Sequence, residues 1–265
     1  MYAIEYQRAK SVADAAAALA RTGGKALAGG QSLVGAMKLR LANPGTVVDL
    51  SGIAELKGIK KEGDTIAIGA LTTHAEVAAS ALVKQAIPAL AALAEGIGDR
   101  QVRNRGTLGG SLANNDPAAD YPAAVLALGA TVKTNKRSIS ADDFFKGLFT
   151  TALEDGEIIT AVSFPVQTKA GYAKFNHPAS RFALTGVFVA RTPAGDVRVA
   201  ATGASQSGVM RVPAIEAALK ANWSAGAIDG VKISADGLMS DIHGTSDYRA
   251  NLIKVMAQRA VTAAG

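Results

Sequence analysis

Two glycine-bearing stretches hold the residues best suited to chemistry in this chain. One is Ala28, Gly29, Gly30, Gln31, Ser32 and Leu33; the other runs from Thr107 through Gly109, Gly110 and Ser111 to Asn114, Asn115, Asp116, Pro117 and Asp120. Glycine lacks a Cβ, so its amide can approach an anion closely and adopt the positive φ that turns successive N–H groups toward one point. Two such stretches in one chain point to a ligand carrying two phosphates, and a dinucleotide such as FAD meets that demand. Gln31 and Ser32 add donors suited to phosphate oxygens, and Thr107 and Ser111 place hydroxyls beside glycine amides. Standing alone, Gly29-Gly30 reads equally well as an ordinary strand-to-helix turn.

The same residues exclude other chemistries. Neither stretch has the G-x-G-x-x-G of a Rossmann site or the G-K-[ST] of a P-loop. Asp116 and Asp120 precede a helical run, where a carboxylate serves as a helix cap. Beside a pyrophosphate loop, Asp120 has a second reading as an acceptor for ribose hydroxyls, and both stay open. His74, His177 and His243 show no metal-ligand spacing and read as packing or surface histidines. No Ser-His-Asp set or carboxylate pair is suggested by spacing, so the chemistry belongs to a cofactor.

The elements that must position these residues follow from periodicity and punctuation. Ser11 is placed to cap a helix ended by Gly23 and Gly24, with Asp14 in its first turn. KALAGG reads as a strand entering the first loop, Leu33 to Leu41 as a short helical or irregular segment, and TVVDLSGI as a strand. LKGIKKEGDTIAIGALTT reads as a hairpin turning at Gly63-Asp64, and Thr73 caps the helix that follows. An Ala- and Leu-rich helix over 82–97 leads to a basic turn and the second glycine loop; another helix is built on Tyr121 to Gly129. After a polar, glycine-containing boundary near Gln167 to Gly171 come strands Ala183 to Arg191 and Val197 to Gly203, a helix from Pro213 to Ala221, and a terminal helix from Asp247 to Ala263.

Composition sets the outer limits. With 265 residues, 49% hydrophobic and 19% charged, the chain can bury one large core or two modest ones and is not disordered. No uninterrupted apolar run of about 18 residues exists and the N-terminus lacks signal-peptide features, so a cytoplasmic protein without a membrane span is expected. Cysteine is absent, so the chain can supply no thiolates to an iron–sulfur cluster or a structural zinc. The net charge of +6 is scattered without a stripe of basic and stacking residues, which argues against nucleic acid.

At AGGQSL and TLGGSLANNDPAADYPA the chain resembles the flavoprotein, or medium, subunits of molybdenum hydroxylases, the family of carbon monoxide dehydrogenase and xanthine dehydrogenase. The resemblance extends to KLRLANPGTVVDLSGIAELKGI, to EIITAVSFP at Glu157 to Pro165, and to DIHGTSDYRANLIKVMAQRAV near the C-terminus. It implies an α+β fold: a two-subdomain FAD-binding region of the vanillyl-alcohol-oxidase type, divided as 1–57 and 58–168, then a flavoprotein C-terminal domain over 169–265. By the same resemblance, Ala28, Gly29, Gly30, Gln31, Ser32 and Leu33 wrap the pyrophosphate of FAD, and Thr107, Gly109, Gly110 and Ser111 hold it from the other side. Asp120 matches an acidic FAD contact. Ile97 and Ile159 match apolar positions lining the flavin or adenine, and Lys174 matches a lysine near the flavin. Two departures stand out: Gln31 replaces a common His, and HPASRFAL lacks the acidic residue some relatives carry after the arginine.

The resemblance implies an electron-transfer role beside a small [2Fe–2S] subunit and a large molybdopterin subunit, with a quinone, NAD or oxygen as acceptor. Two rival readings are a self-sufficient flavin oxidoreductase similar to the enolpyruvyl-glucosamine reductases, and a non-catalytic assembly subunit without a working flavin. The first needs a substrate domain and a proton donor, whereas the C-terminal third matches the hydroxylase family.

Overall fold

The computed structural model describes residues 1–265. Its first unit is built as the capping signals demand. Ser11 accepts a hydrogen bond from the Asp14 amide at 3.1 Å and starts helix Val12–Thr22, which Gly23 closes in the left-handed conformation. Strands Glu5–Arg8, Thr46–Asp49 and Lys25–Leu27 form a parallel three-stranded sheet with Thr46–Asp49 in the middle. The helix buries Ala15, Ala18 and Leu19 with Val48, Leu50 and Leu56. Lys25–Leu27 carries the chain directly into the first glycine loop, and helix Leu33–Lys38 carries it out.

The second unit is a five-stranded sheet in the spatial order Ile59–Glu62, Thr65–Gly69, Ile159–Pro165, Thr131–Thr134, Ser138–Ser140, with every neighbouring pair antiparallel. The hairpin turns at Gly63, as its sequence requires. Thr73 caps helix His74–Ala79 in a full capping box with Glu76. The helix expected over 82–97 is two, Ala81–Ala86 and Pro88–Glu95, because Pro88 cannot donate within a continuing helix and instead occupies a first-turn position of a new one. The basic turn is helix Arg100–Arg105, capped by Asp99. The second glycine loop is also a helix, Leu108–Asn114, followed by helix Tyr121–Leu128. Tyr121, Phe144, Phe164, Leu90 and Leu93 are fully enclosed in the core between these helices and the sheet.

The last stretch is an antiparallel sheet of Lys169–Asn176, Ala183–Arg191, Val197–Ser205 and Gly208–Arg211, covered by helices Pro213–Ala221 and Ser246–Ala264. Lys169–Asn176 gives no strand signal in the sequence because Tyr172 and Lys174, on one face, turn polar groups inward toward Asp120. A Cβ at Gly171 would meet the Ala260 carbonyl at 1.9 Å, so glycine lets the terminal helix lie directly on that strand. Phe188, Ala190 and Ala200 join the core of the central sheet, seating this layer against the region of the glycine stretches. No helix is long and apolar enough to cross a membrane.

Candidate functional site

The two glycine stretches, about 80 residues apart in sequence, interlock. A Cβ on Gly29 would stand 1.9 Å from the Arg105 carbonyl oxygen and 2.9 Å from the Gly106 Cα. Glycine at 29 is therefore what allows the first loop to touch the backbone leading into the second stretch. Gly30 has φ +76°, a conformation that favours glycine. Gly110 faces the first loop, its Cβ position lying 3.6 Å from the Ala28 Cβ. Gly109 packs on Ala70, where a Cβ would come within 2.6 Å of the alanine methyl.

Hydrogen bonding separates the two stretches. No backbone amide from Ala28 to Leu33 donates to an acceptor within the chain, and neither the Gln31 nor the Ser32 side chain has a partner, although Ser32 stands at the N-cap of helix Leu33–Lys38. A run of six unpaired amides opening a helix is an anion cradle. The second stretch does not carry the free amides expected of it. The amides of Leu108, Gly109 and Ser111 donate to Thr72 O, Ala70 O and Thr107 O, and that of Gly110 donates to the Thr107 hydroxyl at 3.2 Å. The neighbouring Ala70–Thr72 segment and the Thr107 cap take its donors; the Thr107 amide and the Ser111 hydroxyl are left without partners.

Asp120 lies at the start of helix Tyr121–Leu128 but makes no side-chain cap; Asp116 is the carboxylate that receives a local amide, from Ala118 at 2.8 Å. Asp120 is buried and meets Lys174 at 2.9 Å, and it accepts the Tyr172 hydroxyl at 2.6 Å. Burial pushes its carboxyl upward, against the opposing pull of Lys174 and Tyr172, and burial together with the Asp120 charge holds the Tyr172 phenol well above its ordinary value. Lys174 also donates to the Gly96 and Arg181 carbonyls, at 2.9 and 3.2 Å. That fastens it beside Ile97, which is buried in the same core as Ile159. The residue after Ile159, Thr160, accepts from the Ala70 amide, and Ala70 in turn accepts from Gly109. All the sequence-identified positions thus belong to one connected region.

Two cavities flank the basic helix. One, of about 250 Å³, is lined by the first loop with Asp49 and Arg105; the other, of about 430 Å³, by Glu95, Gly96, Gly98, Arg103, His177 and Arg181, with Asn176 and Pro178. His177 and His243 meet at 3.1 Å between ring nitrogens, a pairing their sequence separation hid. No group of three or more metal-ligating side chains accompanies them.

This arrangement can hold an extended anionic ligand. Residues 2–167 match the family model described as the FAD binding domain in molybdopterin dehydrogenase. The chain belongs to the FAD-binding medium subunits of the molybdenum hydroxylases. It is 36% identical to the nicotine 6-hydroxylase medium subunit of Paenarthrobacter nicotinovorans, over 99% of this chain and 98% of that one. It is 33% identical to the carbon monoxide dehydrogenase medium chain of Hydrogenophaga pseudoflava, over 98% and 96% of the two chains. Among solved structures it superposes on reconstituted CO dehydrogenase from Oligotropha carboxidovorans with a TM-score of 0.90 at 31% identity, covering 99% of this chain and 98% of that one.

The site of this medium subunit fits FAD on its own geometry: an amide run without internal acceptors, a glycine contact that a Cβ would fill, and Arg105 on the cavity beside them. His74, read as a packing or surface histidine, is buried against Gly106, and sequence reasoning overlooked both Gly106 and Tyr172, which completes the Asp120 pair. It also left Asn115 without a role. Asn115 ends helix Leu108–Asn114 in the left-handed conformation and donates to the Gly147 and Thr150 carbonyls. Only Asn115 carried a usable signal, since asparagine after a short helix favours that conformation.

Proposed function

We propose that this medium subunit is the electron-transfer station of a heteromeric hydroxylase. In this reading a large molybdopterin subunit oxidises the substrate, a small [2Fe–2S] subunit relays the electrons, and this chain delivers them to a quinone, NAD or oxygen in the cytoplasm. The observation that carries it is the unpaired amide run of Ala28 to Leu33 in a chain devoid of cysteine. Such a chain meets the needs of an anionic dinucleotide and none of those of an iron–sulfur cluster.

When bound, FAD supplies the redox chemistry that none of the side chains here offers. The chain's own residues bind and orient it. Ala28, Gly29, Gly30, Gln31, Ser32 and Leu33 hold the pyrophosphate by backbone amides and two side-chain donors. Thr107, Gly109, Gly110 and Ser111 close on it from the other side, chiefly as a glycine surface permitting close approach. Ile97 and Ile159 supply apolar walls that exclude water. Asp120 fixes the Lys174 ammonium in place, and their mutual neutralisation keeps an unpaired charge out of the flavin's surroundings. The division into 1–57, 58–168 and 169–265 then sets two FAD-binding subdomains against a C-terminal domain.

The test is the visible absorption spectrum of the purified chain, followed by chromatography of the ligand released on denaturation and by subunit analysis of the native assembly. FAD, together with a cysteine-rich small subunit and a large molybdopterin subunit, is expected. A protein that takes up no FAD even with its partners present would overturn the reading.

A further inference from the structure

The backbone at Arg105 and Gly106 is held from two directions. Gly29 presses on it from the first loop, at the distances given above. From helix His74–Ala79, the His74 ring presses on Gly106: a Cβ there would stand 2.5 Å from Nε2 and 2.8 Å from Cδ2. The His74 amide donates to the Gly106 carbonyl at 3.0 Å, and Thr73 and Thr107 pair as an antiparallel bridge around it. The ring is 5% exposed and lies 5.3 Å from the Tyr121 ring, and its Nδ1 has no partner. His74 plays no part in the function derived above.

We infer that His74 is a positioning residue for the cofactor cradle: its uncharged ring is the spacer that holds the Arg105–Gly106 backbone against Gly29. The inference rests on assigning the two glycine stretches to FAD. A spacer of this kind must be flat, rigid and neutral. Burial, with a smaller contribution from the Arg103 charge, lowers the His74 pKa to about 4, so the ring is uncharged at neutral pH. The surrounding groups offer a proton no counter-ion. Arg103 donates to the Ile97 and Gly98 carbonyls and pairs with Glu95 of the adjoining helix, and Glu76 turns back to the Thr73 cap. Lys84 on the next helix is exposed, and Tyr121 meets His74 ring to ring. Protonation therefore places a second cation beside Arg103 in a dry site.

A double-mutant cycle on the FAD affinity of the full chain tests the contact. His74→Ala removes the spacer and Gly106→Ala drives a methyl into it, so each is expected to weaken FAD binding by about tenfold. The double variant should bind about as well as either single one, because the vacated ring space accepts the new methyl. Independent, multiplying effects, or a His74→Ala protein with unchanged affinity, would overturn the assignment. His74→Phe keeps a flat neutral ring and tests the charge without emptying the site. As pH falls through about 4 the wild type should release FAD, followed by its fluorescence, while His74→Phe retains it; superimposable release curves would refute the role of ring charge. Gly29→Ala separates the two readings. If it too leaves FAD affinity unchanged, the assignment of the loops to FAD fails, whereas loss of FAD there with no effect at His74 removes only the spacer.

Discussion

Between Ala28 and Leu33 no backbone amide finds an acceptor inside the chain, whereas between Leu108 and Ser111 every one does. Both stretches carry paired glycines with serine and leucine close behind; the first leads into a short helix and the second lies within one. They differ in what surrounds them. The first leaves the edge strand Lys25–Leu27 of a three-stranded sheet and has no neighbour positioned to accept its donors. The second lies against Ala70 and Thr72, whose carbonyls take its amides, and its cap hydroxyl takes another. The same composition thus builds a donor cradle in one place and a close-packed wall in the other. Glycine lets the first stretch touch the Arg105 backbone and lets the second lie against Ala70.

The sharpest way to break this comparison is Gly29→Ala, which drives a methyl into the Arg105 carbonyl. It should cost more than about 3 kcal/mol in thermal unfolding and strip the flavin absorbance from the purified protein. A flavin-replete Gly29→Ala protein with unchanged melting would show that the loops need not touch.

Acid reaches the wall through His74. His74 titrates near 6.5 when unfolded and at about 4 when folded. The unfolded state therefore binds the extra proton first, and the stabilisation present above pH 6.5 is lost as pH falls toward 4. That difference corresponds to about 3 kcal/mol, and urea midpoints measured across that range should fall in the wild type and much less in His74→Phe. Glu157 reinforces the same direction at lower pH. Burial works to raise its carboxyl, but Arg137, the Glu154 amide and Thr134 outweigh that and hold it at about 2, so its contribution is lost as pH falls from about 4.5 through 2.

Two cap substitutions sharpen the comparison at smaller scale. Thr107 accepts from the Gly110 amide, so Thr107→Ala should lower stability by about 1 kcal/mol. Ser32 occupies the equivalent cap of the first helix and accepts nothing, so Ser32→Ala should leave stability within about 0.5 kcal/mol while weakening FAD in an equilibrium titration. Equal stability losses at the two caps would erase the distinction between cradle and wall.

Much of this was legible in the residues. Ser11 and Thr73 signalled their helices and Gly63-Asp64 its hairpin, because each depends on neighbours within about four positions. The division at Pro88 is also written in the chain, masked by the helical spacing around it. The strand Lys169–Asn176 was not visible, since Tyr172 and Lys174 make one of its faces polar and find their partners far off in the chain, at Asp120 and, for Lys174, also at Gly96 and Arg181.

By itself, then, the sequence determined the cofactor class, the lack of thiolate ligands, and the local elements that deliver each glycine stretch. Tertiary structure alone decided which amides remain available for an anion, that Asp120 is a buried partner of Lys174 and not a helix cap, and that His74 braces Gly106. The physical reason is the range of the interactions. A cap or turn is closed by residues close in sequence. A donor's availability depends on whether a carbonyl from a distant strand reaches it, and a buried charge or ring takes its state from whatever the fold packs around it.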